Sequence, residues 1–220
     1  MSAQPVAANN YSLPPVRKWL RFVDDQLSPD GVEFLKLGLY PDEVDYKKLE
    51  SIHKPSQLYD AILEQRPHEE KEVLRLFVHA LRQIGGNLRG DFLTNSLPNY
   101  SVTMPDPLTS GETQTNFKFF QCLVKIGTKV RGTEAEPRLK QHFARRLDVH
   151  HTHIASIPNL FIRLHQAGIV TSERHQMLVD FLGTHGLSRK CLPYLNEFRR
   201  ETDLTPLEGL GSPEKGMSSQ

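Results

Sequence analysis

Three histidines lie close together in the segment DVHHTHIA, at His150, His151 and His153. Histidine is a common metal ligand and catalytic base, so this segment is the first candidate for a chemical site. Imidazoles at such short spacing can bind a transition metal. Three neighbouring histidines on one short turn do not converge on a single point, and no cysteine or acid at ligand spacing joins them. We therefore expect a solvated polar turn here and no bound metal.

The two cysteines, Cys122 and Cys191, raise the alternative of an enzyme with a thiol nucleophile and His165 or His185 as its base. No nucleophile signature surrounds either cysteine. Each lies in an amphipathic segment, where a small buried side chain is the expected explanation. The chain also has no glycine-rich phosphate loop following a strand. These observations favour a protein without catalytic activity and without a cofactor.

The tripeptide Arg89-Gly90-Asp91 has the letters of a cell-adhesion signal, but the rest of the chain favours another interpretation. The N-terminal segment lacks the apolar core of a signal peptide, and no apolar run approaches the roughly 18 residues of a membrane span. Two cysteines are too few for a secreted disulfide scaffold. We therefore expect a soluble, cytoplasmic protein in which Arg89 and Asp91 belong to a charge network.

Composition and charge place the chain among ordinary globular proteins. Hydrophobic residues make up 38% and charged residues 24%, and the net charge is +1. This balance gives no general attraction to nucleic acid or to an anionic membrane, and we expect neither as a partner. A basic run does occur in the second half, at Lys129, Arg131, Arg138, Lys140, Arg145 and Arg146. One hypothesis is that it faces an acidic surface such as Glu69, Glu70 and Glu72 of another molecule.

Apolar residues recur at helical spacing throughout, and no stretch alternates with a period of two, so the pattern predicts an all-α protein. Six helical segments can be placed in each half. Proline, serine, threonine and glycine are concentrated between the halves, which indicates a linker. The predicted organisation is a flexible N-terminus over 1–13, a first domain over 14–98, a linker over 99–115, a second domain over 116–202 and a flexible tail over 203–220.

The second half repeats features of the first about 100 to 105 residues later, which predicts two copies of one six-helix domain in tandem. The pairs that define the repeat are Leu58 with Leu160, Tyr59 with Phe161, Ile62 with Leu164, Phe77 with Phe181, Arg89 with Arg189 and Asp91 with Cys191.

A unit of six short helices, with a brief third helix, a fourth marked LY or LF and an Arg-x-Asp-hydrophobic motif opening the sixth, resembles the death effector domain. The first copy supplies DDQLSPDGVEFLKLGLY, KKLESIHKPSQLYDAILEQ and RGDF, and the second supplies RLKQHFARRLDVHHTHIASIPNLFIRLHQAGIV and RKCL. The resemblance extends from about Pro14 to Arg200. Two such domains in tandem resemble the prodomain of initiator caspases and the cellular and viral caspase inhibitors that copy it.

The resemblance implies a charged triad in which an Arg and an Asp of the sixth helix meet an acid of the second. Arg89 and Asp91 match by position in the first copy, and Asp30 is the candidate acid. Such a triad is physically plausible because a guanidinium can bridge two carboxylates. In the second copy Arg189 remains while Cys191 replaces the Asp, which leaves Glu134 or Glu136 as candidate partners for Arg189.

The resemblance also implies an exposed apolar patch on the second helix, which in the first copy corresponds to Leu37, Leu39 and Tyr40. Core packing is the competing explanation for these residues. If the two domains pack together, this face would be used internally against Phe117, Phe120 and Phe161. In the second copy the matching positions are Gln141 and His142, which are too polar for a similar patch.

The function implied is homotypic assembly with other death-fold proteins, namely a Fas-associated adaptor and initiator caspase precursors. Self-association is left open. An adaptor with a death effector domain followed by a death domain remains an alternative, because HFARRLDVHHTHIASI also resembles the second and third helices of a death domain. His142 stands where that family typically has Trp.

Overall fold

The computed structural model describes residues 14–39, 46–84, 111–202 and 204. All regular elements in these ranges are helical, which confirms the all-α prediction for the part of the chain described. The helices are α1 (Pro14–Gln26), α2 (Pro29–Leu39), α3 (Tyr46–Ser51), α4 (Pro55–Gln65), α5 (Glu70–Ile84), α6 (Gly111–Val130), α7 (Ala135–Ala144), α8 (Ile157–Gln166), α9 (Gln176–Thr184) and α10 (Ser188–Glu201), with a 3₁₀ turn at His151–His153.

Helix α2 begins where the sequence predicts. The Ser28 hydroxyl accepts a hydrogen bond from the backbone N–H of Gly31 at 3.2 Å, and Pro29 and Asp30 occupy the first turn. A hydroxyl cap, a proline that has no N–H to leave unpaired and an acid near the positive end of the helix all favour this start.

The start of α6 differs from the prediction. The helix begins at Gly111, so the last five residues of the predicted linker, 111–115, are helical. These residues are mostly polar, and an apolar pattern cannot detect a polar first turn. No proline follows Gly111 in this stretch, so nothing breaks the helix there.

Contacts divide the chain into two compact units, and the boundary falls inside α2. Of the described residues, unit 1 contains 14–32 and 46–84, and unit 2 contains 33–39 and 111–202. The sequence predicted an unbroken first domain over 14–98, whereas the structure groups the second half of α2 with the second unit. The sixth helix expected after Gly86 lies outside the described residues.

In unit 1, α4 packs against both α1 and α5. Phe77 of α5 makes edge-to-face contacts with Trp19 and Tyr59, at ring-centroid distances of 6.2 Å and 5.5 Å. Asp24 accepts hydrogen bonds from the backbone N–H and the hydroxyl of Ser56 at 2.8 Å and 2.6 Å, which ties the end of α1 to the first turn of α4. Arg17 of α1 also pairs with Asp60 of α4. An aromatic core and these polar contacts therefore fix the helices.

In unit 2, the long helix α6 packs against α8 and α10, and α10 also contacts α9. Lys125 pairs with Glu197 at 3.1 Å, and Lys118 pairs with Glu201 at 3.8 Å, so α6 and α10 run antiparallel. Their inner faces meet at Phe119 and Phe198, whose ring centroids are 5.3 Å apart.

The apolar positions that the internal repeat pairs on the fourth helix of each half are core positions in both units. Helices α4 and α8 each carry a proline in their first turn. The apolar residues that the repeat matches on these two helices are all buried: Leu58, Tyr59 and Ile62 on α4, and Leu160, Phe161 and Leu164 on α8. Among the described helices, none is long and apolar enough to cross a membrane.

Candidate interaction surfaces

Of the three residues of the charged triad predicted for the first half, only the candidate acid lies within the described residues. Asp30 lies in the first turn of α2 and is exposed. Arg89, Asp91 and Tyr40 lie outside the described residues. The triad of Asp30 with Arg89 and Asp91 therefore stays a prediction.

The apolar residues of α2 are not exposed as the patch prediction requires. Leu37 is 0% exposed and Leu39 is 5% exposed. Both belong to the half of α2 that is grouped with unit 2. Leu37 is therefore not the exposed interaction residue that the patch prediction requires. A side chain without solvent access cannot bind another molecule unless the helix moves.

Close packing against α6 explains why this half of α2 is buried. The Gln121 side-chain amide donates a hydrogen bond to the Gly38 carbonyl at 3.1 Å. A Cβ atom at Gly127 would lie 2.7 Å from Cε1 of Phe34 and 3.3 Å from Cγ2 of Ile157. The missing side chain of Gly127 is therefore what allows the Phe34 ring to approach α6.

Helix α7, the predicted counterpart of α2 in the second half, has the polar surface that its sequence predicts. Gln141 and His142 are both exposed. The inner face of the helix is formed by Leu139 and Phe143, which are both buried. The two helices therefore differ in the described structure, because residues 34–39 of α2 are buried whereas Gln141 and His142 of α7 are exposed.

Arg189 is exposed in the first turn of α10, and no described carboxylate forms an ion pair with it. Glu136 instead pairs with Lys140 at 3.0 Å and accepts a hydrogen bond from the Gly132 N–H at 2.8 Å. The expected pairing of Arg189 with Glu134 or Glu136 is therefore absent from the described structure. A lysine one turn away on the same helix is the nearer partner.

Four basic side chains at the ends of α7 and α9 form what we call the basic surface: His142, Arg145, Arg146 and His185. Arg145 and Arg146 follow the last residue of α7 and are exposed. The His142 and His185 rings both contact Phe181, at centroid distances of 5.3 Å and 4.2 Å. Phe181 is buried, so it supports the two imidazoles from beneath.

The electrostatics of the basic surface are those of clustered cations. The pKa of His142 is lowered from its ordinary value, first because packing of its ring against Phe143 and Phe181 removes water, and then because of the charges of Arg146, His185 and Arg145. No acid contributes to this shift. The lowered pKa favours the neutral form of the His142 ring.

The acidic residues proposed as a counterpart are accompanied by cations of their own. Glu69 pairs with Arg66 at 3.4 Å, and Glu72 pairs with Arg75 at 3.3 Å. Lys71 lies between them in the sequence. The start of α5 is therefore close to electrically balanced, and it is a weak complement for a basic surface.

The histidines at 150–153 lie on the exposed 3₁₀ turn. The Nδ1 atom of His150 is 2.7 Å from the Thr152 hydroxyl, and its ring contacts that of His151 at a centroid distance of 4.4 Å. Within the described ranges, no group of three or more His, Cys, Asp or Glu side chains is placed to hold a metal ion.

Both cysteines are buried. Burial raises the pKa of the Cys191 thiol to about 11, and it raises that of Cys122 still further. A nucleophilic cysteine requires the opposite shift, toward the thiolate. The two side chains act in this structure as small apolar groups of α6 and α10.

One buried polar site of unit 2 was not predicted from the sequence. His175 is 2% exposed, and its Nε2 atom is 2.9 Å from Nη1 of Arg199. The imidazole ring lies beside Phe119 and Phe198 at centroid distances of 5.8 Å and 6.0 Å. Because a guanidinium can only donate, Nε2 must accept the hydrogen bond, so the ring is neutral. The pairing joins residues far apart in sequence, and no local motif signals it.

Acidification should destabilise the chain through His175. Burial, followed by the charge of Arg199, lowers its pKa below the ordinary value of 6.5, while backbone groups of Thr171 and Ser172 oppose the shift more weakly. As the pH falls, His175 therefore binds a proton in the unfolded chain before it does so in the folded chain. The contribution of the neutral His175 to the free energy of unfolding is fully present above about pH 6.5 and is lost as the pH falls below that value. We expect the free energy of unfolding, measured in urea, to fall between about pH 7.5 and pH 5.5, and His175→Gln to reduce that fall. An unchanged pH dependence in the variant would contradict this assignment.

The basic surface was also only partly visible in the sequence. The sequence predicts Arg145 and Arg146 as part of a basic run, but it does not associate His142 or His185 with them. The four-residue spacing of Phe181 and His185 places them on one face of a helix and is a local signal. The approach of His142 to the same ring depends on the packing of the unit.

Comparisons with protein-family models, with curated proteins and with solved structures found no match to this chain.

Proposed function

We propose that this protein is a non-enzymatic, homotypic interaction protein that regulates the recruitment and activation of caspases through two death-fold domains. The proposal rests on the resemblance of both halves to the death effector domain. Its supporting observation is the matching order of elements in the two halves. In each, a longer helix is followed by a second helix, a short third element, a proline-initiated fourth helix and a fifth helix.

The surfaces available for such assembly differ between the halves. In the first, the RGDF motif with Asp30 is the candidate for a polar interaction surface. In the second, the candidates are Arg189 and the exposed residues of α7, which the resemblance matches to that motif. Recruitment and competition would use the same surfaces, because an adaptor and an inhibitor both have to occupy a homotypic face of the caspase precursor.

A binding assay with purified components tests the proposal. We expect the full chain to bind a Fas-associated adaptor or an initiator caspase precursor, and Arg89→Glu to weaken that binding about tenfold or more, because it reverses the charge at the centre of the motif. Arg21→Glu is the matched control, since Arg21 is an exposed arginine of α1 outside the motif.

The outcomes separate the elements of the proposal. Binding that Arg89→Glu leaves unchanged would remove the motif from the mechanism. Binding to an isolated death domain, with no binding to death effector domains, would favour the adaptor with one domain of each kind. Absence of binding to any death-fold protein would overturn the proposed function. Caspase activity in the same mixtures then measures whether the chain promotes or blocks activation.

A further inference from the structure

The two arginines of the basic surface differ from many other cations of the chain because no described carboxylate pairs with them. Several basic side chains elsewhere form ion pairs: Arg17 with Asp60, Lys48 with Glu64, Lys118 with Glu201, Lys125 with Glu197 and Lys140 with Glu136. Arg145 and Arg146 are exposed, adjacent and close enough to His142 to affect its charge. Adjacent like charges repel each other, so a bound anion would lower the electrostatic energy of this pair.

The same region contains a cluster of aromatic rings. The His142 and His185 rings contact the buried Phe181 ring, and the Phe143 ring lies 4.8 Å from that of His142. An interface that combines aromatic rings at its centre with charged groups at its rim is typical of protein recognition. The guanidinium groups can each bind a carboxylate through two parallel hydrogen bonds.

We propose that the basic surface, formed by His142, Arg145, Arg146 and His185, binds an acidic segment of a partner protein. In this arrangement Arg145 and Arg146 pair with carboxylates of the partner, and the two imidazoles lie beneath the segment. The proposal goes beyond the function proposed above, because it depends on the charge of the partner and not on its fold.

Two exposed carboxylates favour a protein segment over nucleic acid. Asp148 follows Arg146 by two residues, and Asp180 immediately precedes Phe181. Binding of a nucleic acid depends on a continuous series of cations along its phosphate backbone, and such carboxylates interrupt the series. A protein segment can accommodate them, because its own lysines or backbone N–H groups can pair with them.

The test uses the full chain and a short fluorescein-labelled oligoglutamate peptide as the probe. We expect fluorescence anisotropy at low salt to show binding that weakens as salt is added, because exposed charges are screened. Arg145→Glu with Arg146→Glu should weaken it by about tenfold or more. The matched control is Arg174→Glu with Arg200→Glu, which makes the same change in net charge at exposed positions of unit 2 outside the basic surface.

Each outcome decides the proposal. Loss in the first variant with retention in the control supports it. An equal loss in both variants would show that only net charge matters, and absence of binding by the wild-type chain would exclude the surface as a site for acidic segments. An oligouridylate of equal charge is tested in parallel, and tighter binding of that probe to the same arginines would assign the surface to nucleic acid instead. Circular dichroism melting checks that the variants fold, and Arg145→Gln with Arg146→Gln provides a milder second pair.

Discussion

Replacing Phe77 by alanine should lower the free energy of unfolding by about 3 to 5 kcal/mol. The Phe77 ring is fully buried in α5 and contacts Trp19 of α1 and Tyr59 of α4. Its removal leaves a cavity that two large rings border, and it also abolishes two edge-to-face contacts, each worth about 0.5 to 1.5 kcal/mol beyond burial. Urea unfolding followed by circular dichroism measures the change.

Phe77→Leu is the control for this prediction. Leucine keeps most of the apolar volume and loses the aromatic contacts, so we expect a clearly smaller cost, on the order of 1.5 kcal/mol. A cost below about 1 kcal/mol for Phe77→Ala would show that the ring is not enclosed as the structure has it. The internal repeat pairs Phe77 with Phe181 of α9, which is also buried.

The helices of the described ranges could be predicted from the sequence because their signals are local. Ser28, Pro29 and Asp30 act within one turn, and the acids at the start of α5 act within another. The same reasoning failed at residues 111–115, where the polar first turn of α6 has no apolar periodicity. Local signals thus predicted the existence of elements better than their limits.

The surface of α2 could not be predicted because it depends on contacts between distant parts of the chain. An apolar stripe containing Leu37 has the same pattern whether it faces the core, a partner or another segment of the same chain. The contact between Phe34 and Gly127 decides among these, and the residues involved are far apart in sequence. Gly127 carries no side chain, so no periodic pattern marks it as a contact position.

The candidate sites also combine features that the sequence predicts with features that depend on the packing of the unit. Arg145 and Arg146 were recognised because two adjacent arginines are visible in any sequence, whereas their association with His142 and His185 required the packing of α7 near α9. Of the two acids predicted as partners of Arg189, Glu136 instead pairs with Lys140, one turn away on the same helix.

The burial of α2 and the exposure of α7 imply different roles for the two second helices in the proposed assembly. The apolar half of α2 already has a partner within unit 2, through Phe34 and Gly38. Helix α7 presents polar and basic side chains to solvent. Partner binding through the exposed charges of α7 should therefore weaken as salt is added. Binding through the apolar half of α2, after its release from unit 2, would bury apolar surface and should not weaken with salt.

Replacing Gly127 by valine tests whether the close approach of Phe34 holds α2 in place. The new Cβ would lie 2.7 Å from the Phe34 ring, which is 1% exposed, so the ring or the helix has to move. Overpacking of this kind costs about 1 to 3 kcal/mol. The gain in helix propensity from glycine to valine is at most a few tenths of a kcal/mol and does not offset it. Hydrogen exchange should show faster exchange in residues 33–39.

A double-mutant cycle with Phe34→Ala isolates the contact. Removing the ring eliminates the atom against which the valine would clash, so Gly127→Val should cost less in the Phe34→Ala background than in the wild type. Residues in direct contact typically show coupling of about 0.5 to 3 kcal/mol, whereas independent sites add within about 0.5 kcal/mol. Additive costs would contradict the contact. Coupling together with faster exchange confined to 33–39 would show that Gly127 controls whether Leu37 is buried or accessible to another molecule.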